Sequence, residues 1–231
     1  MECISVLKDK KVSFKDMANP MWFEQNPKMA WAFYGHRLKL YKQTTPHDGF
    51  NLLLELVKSK NNNYFIYTSN VDGQFQKAGF SEDKIYECHG SIHYSQCIHN
   101  STKSIWENID ELSIDMDKFE ATNLPICKEC GCVTRPNVLM FYDYFFNDSR
   151  INDQYERYER WLRKNMNSNI AIIELGAGVA IPTIRKYGEY MAKKFNKIKL
   201  IRINPLDDGI KPQYGYSLKM GALEGLQTIL T

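Results

Sequence analysis

Tyr64-Phe65-Ile66-Tyr67-Thr68-Ser69-Asn70-Val71-Asp72-Gly73 carries an aromatic and β-branched run directly into a polar loop. Bounded upstream by Asn61-Asn62-Asn63, the run reads as a short buried strand over 64–68, and the loop opens at its C-terminal end. Downstream, Ile170-Ala171-Ile172-Ile173-Glu174-Leu175 and Ile198-Lys199-Leu200-Ile201-Arg202-Ile203 have the same strand character. Helical spacing of apolar residues falls between and around them, over 48–59, 152–165, 182–195 and 221–230. A further helix is expected over 29–41, ending before Pro46, and Asp16-Met17-Ala18-Asn19-Pro20 reads as a turn. Strands alternating with helices predict an α/β fold with a Rossmann-like parallel sheet, whose ligand crevice lies beyond the C-terminal strand ends. The loops at Ser69, Gly176 and Asn204 all fall at such ends.

Residues 92–135 break this rhythm, with mixed polarity and most of the cysteines. They read as a small inserted module of zinc-ribbon type, which leaves 1–91 and 136–231 to the Rossmann-like domain. The 231 residues suit one large domain carrying a small one. Hydrophobic residues at 43% and charged residues at 25% are ordinary globular values, so no membrane association is expected. The start, Met1-Glu2-Cys3-Ile4-Ser5, lacks a secretory pattern, which points to an intracellular, cytoplasmic protein. A net charge of +3 is spread along the chain without a basic stripe, which argues against direct nucleic-acid binding.

Three cysteines of the six crowd into six residues, a clustering that reads as metal rather than disulfide in an intracellular chain. Cys127-Lys128-Glu129-Cys130 has the spacing of a zinc knuckle, whose thiolates reach one tetrahedral ion. Upstream, Cys97 offers a third ligand, but Asn100 stands where a fourth cysteine is expected. His99 and Cys132 are the substitutes at hand, and a metal-free knuckle packed as a plain loop is the alternative. In the Ser69–Asp72 loop an amide and a carboxylate lie two residues apart, suited to a carboxamide and ribose hydroxyls, or equally to an Asx turn capping the next helix. The unperturbed pKa of an imidazole, near ~6.5, makes His89 usable as a base at neutral pH, or it can be a structural residue. Gly176-Ala177-Gly178 can admit a nucleotide to the backbone or simply turn strand into helix. Asn204 can present an amide to an adenosine or stop its strand.

Taken in order, these segments resemble the sirtuins, the NAD-dependent protein deacylases, most closely a bacterial-type branch. The resemblance runs through Ser13–Pro20, Phe33–Arg37, Ser69–Asp72, His89-Gly90-Ser91-Ile92-His93, Arg135–Phe141, Glu174–Gly178 and Ile203–Pro205. It implies NAD and an acylated-lysine protein or peptide meeting in one cleft, beside a module that binds one zinc ion. Ser69, Asn70 and Asp72 then hold the nicotinamide and its ribose. Gly176, Ala177, Gly178, Asn204 and Ala222 line the adenosine side. His89 is the general base, Val138 and Phe141 flank the acyl-lysine channel, and Cys97, Cys127 and Cys130 are metal ligands. The products implied are lysine, nicotinamide and O-acyl-ADP-ribose.

Two family features have no counterpart in this chain. One is a first strand with its Gly-Ala-Gly type loop; the other is an Asp-Phe-Arg type segment. The expectation is therefore a sheet lacking its central strand, with exposed edges and weakened NAD binding. Tyr142 also stands where the family usually has glycine. ADP-ribosyl transfer or NAD hydrolysis in the same pocket, and a non-catalytic binding role, remain as alternatives.

Overall fold

The computed structural model describes residues 12–99, 103–108 and 112–230; the Met1–Ser5 start and Asn100 lie outside them. Ten strands are present among these residues: β1 Ile66–Thr68, β2 Ile85–Glu87, β3 Gly90–Cys97, β4 Ile105–Glu107, β5 Ile114–Asp115, β6 Glu120–Ala121, β7 Thr134–Val138, β8 Ile170–Leu175, β9 Ile198–Ile203 and β10 Gly215–Leu218. The chain divides into two compact units. Unit 1 holds the described parts of Met1–Thr45, Asn70–Gln74 and Glu87–Asp153, and unit 2 those of Pro46–Ser69, Phe75–Tyr86 and Gln154–Thr231.

Unit 1 is organised by the helix Pro27–Gln43. Pro27 starts it without wasting an amide, and the Asn26 side chain accepts from Met29 N at 3.1 Å. Met29 through Gly35 and Leu38 are buried in the core with Met17, Phe23, Ile92 and Phe119. Trp31, fully buried, donates its indole N–H to the Thr134 carbonyl at 2.8 Å, which fixes the helix to β7. The sheet here is antiparallel, in the order β4-β3-β7. Aperiodic as it looks in sequence, the 92–135 segment thus contributes most of a buried sheet. Its inward polar residues Ser95, Gln96 and Asn137 are almost wholly buried, and Asn137 Nδ2 donates to Gln96 Oε1 at 3.0 Å.

The expected turn at 16–20 begins instead as the short helix Phe14–Met17. The reason is a capping box: Asp16 N donates to Ser13 Oγ at 3.2 Å while Ser13 N donates to Asp16 Oδ2 at 3.0 Å. The chain then turns at Asn19, whose Oδ1 accepts from Met21 N at 3.0 Å.

Unit 2 carries the parallel sheet. β8, β9 and β10 pair in parallel, with Ile170 opposite Ile198, Leu175 opposite Ile203 and Gly215 opposite Leu200. Met191 of the helix Thr183–Lys194 packs with Tyr158, Leu162 and Ile198, and Phe65 and Tyr67 pack against that cluster. Strand β1 pairs only with β2 among the described residues, and β8 ends its own sheet. A cavity of about 670 Å³ lies between these two fragments. Every residue of β8 and the consecutive run Asn63–Tyr67 line it. Among the described residues, β8 pairs on one side only, with β9.

Candidate functional site

In unit 1 the N-terminal end of β3 ties several of the sequence-predicted residues together. Ile92 N donates to the Val71 carbonyl at 3.0 Å, and the His93 ring Nε2 lies 2.9 Å from the Asp72 carbonyl. These two bonds anchor the Asn70–Asp72 loop. Asp72 Oδ1 accepts from Gln74 N at 3.0 Å, so the Asx cap is formed, while Asn70 is exposed. Burial raises the Asp72 carboxyl above its usual 3.8, and nearby Glu87 adds to this against the opposing Gln74 amide and His93.

His89, half-buried, immediately precedes β3, and its carbonyl accepts from Leu139 N at 2.9 Å. Gly90 follows at φ 76°, and a Cβ there would stand 2.1 Å from the Asn137 carbonyl oxygen. Only glycine lets β3 approach β7 this closely while turning the chain out at His89. Opposite Gly90 in the register is Val138, which is buried.

Phe141 is positioned by a device not read from the sequence. Arg135 and Asp143, both with fully buried side chains, form a bidentate ion pair; Nη1 reaches Oδ1 at 2.8 Å and Nη2 bonds Oδ2. Asp143 also accepts from Met140 N at 3.2 Å and Phe145 N at 3.3 Å, and Arg135 Nη2 donates to the Val138 carbonyl at 2.8 Å. The pair thereby closes the 138–145 loop, and Phe141 N donates to the Ala18 carbonyl at 2.9 Å. Tyr142 sits in this loop at φ 59° and is 71% exposed. Nothing in the local pattern around Asp143 signals this role, since its partner is eight residues away on a strand.

In unit 2, Gly176 leaves β8 at φ 65° and its N–H donates to the Ile203 carbonyl at 3.0 Å; no atom stands within 4 Å of where its Cβ would be. That side of the backbone is open to a ligand. Buried Asn204 donates to the Ala177 carbonyl at 3.2 Å and accepts from Leu206 N and Asp207 N at 2.9 and 2.8 Å. Its amide thereby joins the β8 and β9 loops, with one of its two Nδ2 hydrogens left without a bond among the described residues. Arg185 adds bonds to the Asp207 and Gly209 carbonyls at 2.6 and 2.8 Å. Gly178 adjoins Asp207, and Ala222 begins the helix Ala222–Leu230. Ser69 follows β1 directly, half-buried.

The thiols of Cys97, Cys127 and Cys130 lie within 4.8 Å of one another, with Cys97 and Cys130 Sγ 3.4 Å apart. Thiolates on one tetrahedral zinc, each at about 2.3 Å, sit roughly 3.8 Å from one another, so this donor set fits zinc. Burial pushes the Cys88 thiol up to about 12, and Cys88 is not part of this cluster.

A family model described as the Sir2 family matches residues 8–161. The NAD-dependent protein deacylase of Leptospira interrogans is 28% identical over 194 residues, 83% of this chain and 69% of that protein. That of Aquifex aeolicus is 26% identical over 215 residues, 93% and 80% of the two chains. The fold superposes on a Sir2 homologue solved with NAD at a TM-score of 0.65, with 21% identity, covering 94% of this chain and 78% of the other. A Sir2 protein bound to acetylated peptide gives a TM-score of 0.63 with 18% identity, covering 93% and 82%. No helix among the described residues is long and apolar enough to cross a membrane. With the family match extending over two thirds of its length and the fold agreeing, the chain belongs to the Sir2 family.

Proposed function

We propose that this chain is an NAD-dependent protein-lysine deacylase acting on acylated-lysine proteins or peptides in an intracellular compartment that keeps its thiols reduced. The observation that carries the reading is the anchoring of three elements on one short stretch of unit 1. The Asn70–Asp72 loop hangs from Ile92 and His93, His89 leads into the same strand, and Val138 pairs with Gly90. Asn70 and Asp72 hold the nicotinamide and its ribose, with Ser69 beside them. Gly176, Ala177, Gly178, Asn204 and Ala222 take the adenosine side; the open face of Gly176 supports this. NAD supplies a ribose carbon from which nicotinamide can leave. His89 accepts a proton from a ribose hydroxyl, a task within reach of an imidazole at neutral pH. Val138 and Phe141 give the lysine channel apolar walls, which favour a neutral acyl-lysine over a charged amine.

Cys97, Cys127 and Cys130 hold one zinc ion, which cross-links the 92–135 module rather than taking part in the chemistry.

Mass spectrometry of products from NAD and an acetyl-lysine peptide tests the reading. O-acetyl-ADP-ribose and free lysine are expected. Free ADP-ribose formed without the peptide, or label transferred to protein, would replace it with NAD hydrolysis or ADP-ribosyl transfer. No NAD binding by the folded chain would leave only a binding role.

A further inference from the structure

We propose that Cys132 is the fourth ligand of the zinc site, giving a Cys97, Cys127, Cys130, Cys132 tetrathiolate in which the knuckle supplies three of the four sulfurs. The proposal rests on the zinc reading above and concerns which residue completes it. Structural zinc sites are closed with four protein ligands, and Cys97, Cys127 and Cys130 supply three.

The hairpin around the knuckle shows where a fourth thiol is available. Ile126 and Val133 form an antiparallel bridge, Cys127 N donates to the Cys132 carbonyl at 2.8 Å, and Gly131 N donates to the Cys127 carbonyl at 2.8 Å. Gly131 makes the reversal at φ 73°. Cys127 and Cys132 are therefore directly opposite across the hairpin. Residues so paired project their side chains to the same face, with Cβ atoms about 5 Å apart. The Cys132 thiol stands outside the group of three that lie within 4.8 Å of one another, so ligation calls for a χ1 rotation that brings it to the roughly 3.8 Å that separates two thiolates on one zinc. At present its Sγ lies 3.9 Å from the Cys130 carbonyl oxygen, beside the cluster and half-buried.

His99, the other substitute, is less well placed. Its Nδ1 faces Glu24 Oε1 at 3.9 Å, with both side chains more than half exposed, whereas Cys132 sits opposite a ligand across the hairpin.

Cobalt substitution counts the thiolates. The full chain loaded with Co²⁺ is expected to show the charge-transfer intensity of four thiolates, and Cys132→Ser is expected to lose about a quarter of it, as Cys97→Ser does. Cys88→Ser and His99→Ala should leave it unchanged. Should Cys132→Ser misfold, alkylation mapping of the zinc-loaded wild-type chain decides the matter. Cys132 must be protected together with Cys97, Cys127 and Cys130, and all four released by a chelator. A three-thiolate spectrum, with Cys132 alkylated in the zinc-loaded chain, overturns the proposal and leaves the three-cysteine zinc reading standing. Failure to take up either metal overturns both.

Discussion

Replacing Asp143 with alanine removes one half of the buried pair that closes the 138–145 loop. Arg135 then keeps its charge in a site where its side chain is fully buried, and Met140 N and Phe145 N lose their acceptor. Breaking a buried ion pair from one side costs about 3–5 kcal/mol, chiefly through the stranded charge. Each orphaned amide that water cannot reach adds about 1 kcal/mol. With domain stabilities of about 5–15 kcal/mol, the loss is a large part of the total. Hydrogen exchange read by mass spectrometry on peptides covering 134–145 localises the effect. At about 4 kcal/mol, protected amides there should exchange roughly a thousandfold faster, while those of β8 and β9 in unit 2 change far less. Replacing both partners, with Arg135→Met and Asp143→Leu, should recover much of the loss because no charge is stranded. An Asp143→Ala chain whose 134–145 peptides exchange within threefold of wild type would refute the reasoning.

Three further outcomes follow from the geometry. Asp72→Asn keeps the Oδ1 acceptor for Gln74 but removes a carboxyl whose folded pKa is raised above 3.8. Wild-type Asp72 favours folding below about pH 3.8, and that contribution is lost as pH rises through the raised value. The asparagine chain should accordingly be the more stable at pH 7, with the advantage gone by about pH 4; urea midpoints across that range check the sign. Gly90→Ala should destabilise by at least about 2 kcal/mol, since its Cβ meets the Asn137 carbonyl and its φ is positive; a smaller shift in urea midpoint would contradict the close β3–β7 approach. Along β8, amides bonded to β9 should be protected while those facing the cavity exchange quickly, and uniform protection seen by NMR would mean the edge is not open.

What could be read from the sequence follows from where the determinants lie. β8 and β9 match the expected 170–175 and 198–203 because Ile- and Leu-rich runs, broken only by Glu174, Lys199 and Arg202, end at Gly176 and Asn204, and the helix Asp48–Ser59 matches because its leucines repeat at helical spacing. β3 and β7 were harder. Their buried positions include Ser95, Gln96, Arg135 and Asn137, whose burial depends on hydrogen-bond partners far away in sequence. The 13–17 helix carried a local signal, Ser13 with Asp16 three residues on, that the reading as a turn passed over. For the site, motif order singled out Asn70, Asp72 and His89 as candidates, and the tie of the Asn70–Asp72 loop to Ile92 and His93 came only from the structure. Asp143 was invisible because its function is to satisfy a buried arginine, and no local pattern encodes that. Asn204 was visible with two uses, and its bonds to Ala177, Leu206 and Asp207 could not be read from the sequence because they depend on how two loops meet.

The central claim, that the elements gathered at the start of β3 form a deacylase centre, is tested most directly by nicotinamide release from NAD. The wild-type chain should release nicotinamide only when an acetyl-lysine peptide is present, and His89→Ala should abolish turnover while the protein remains folded. Release that is independent of the peptide, or unaffected by His89→Ala, would contradict it.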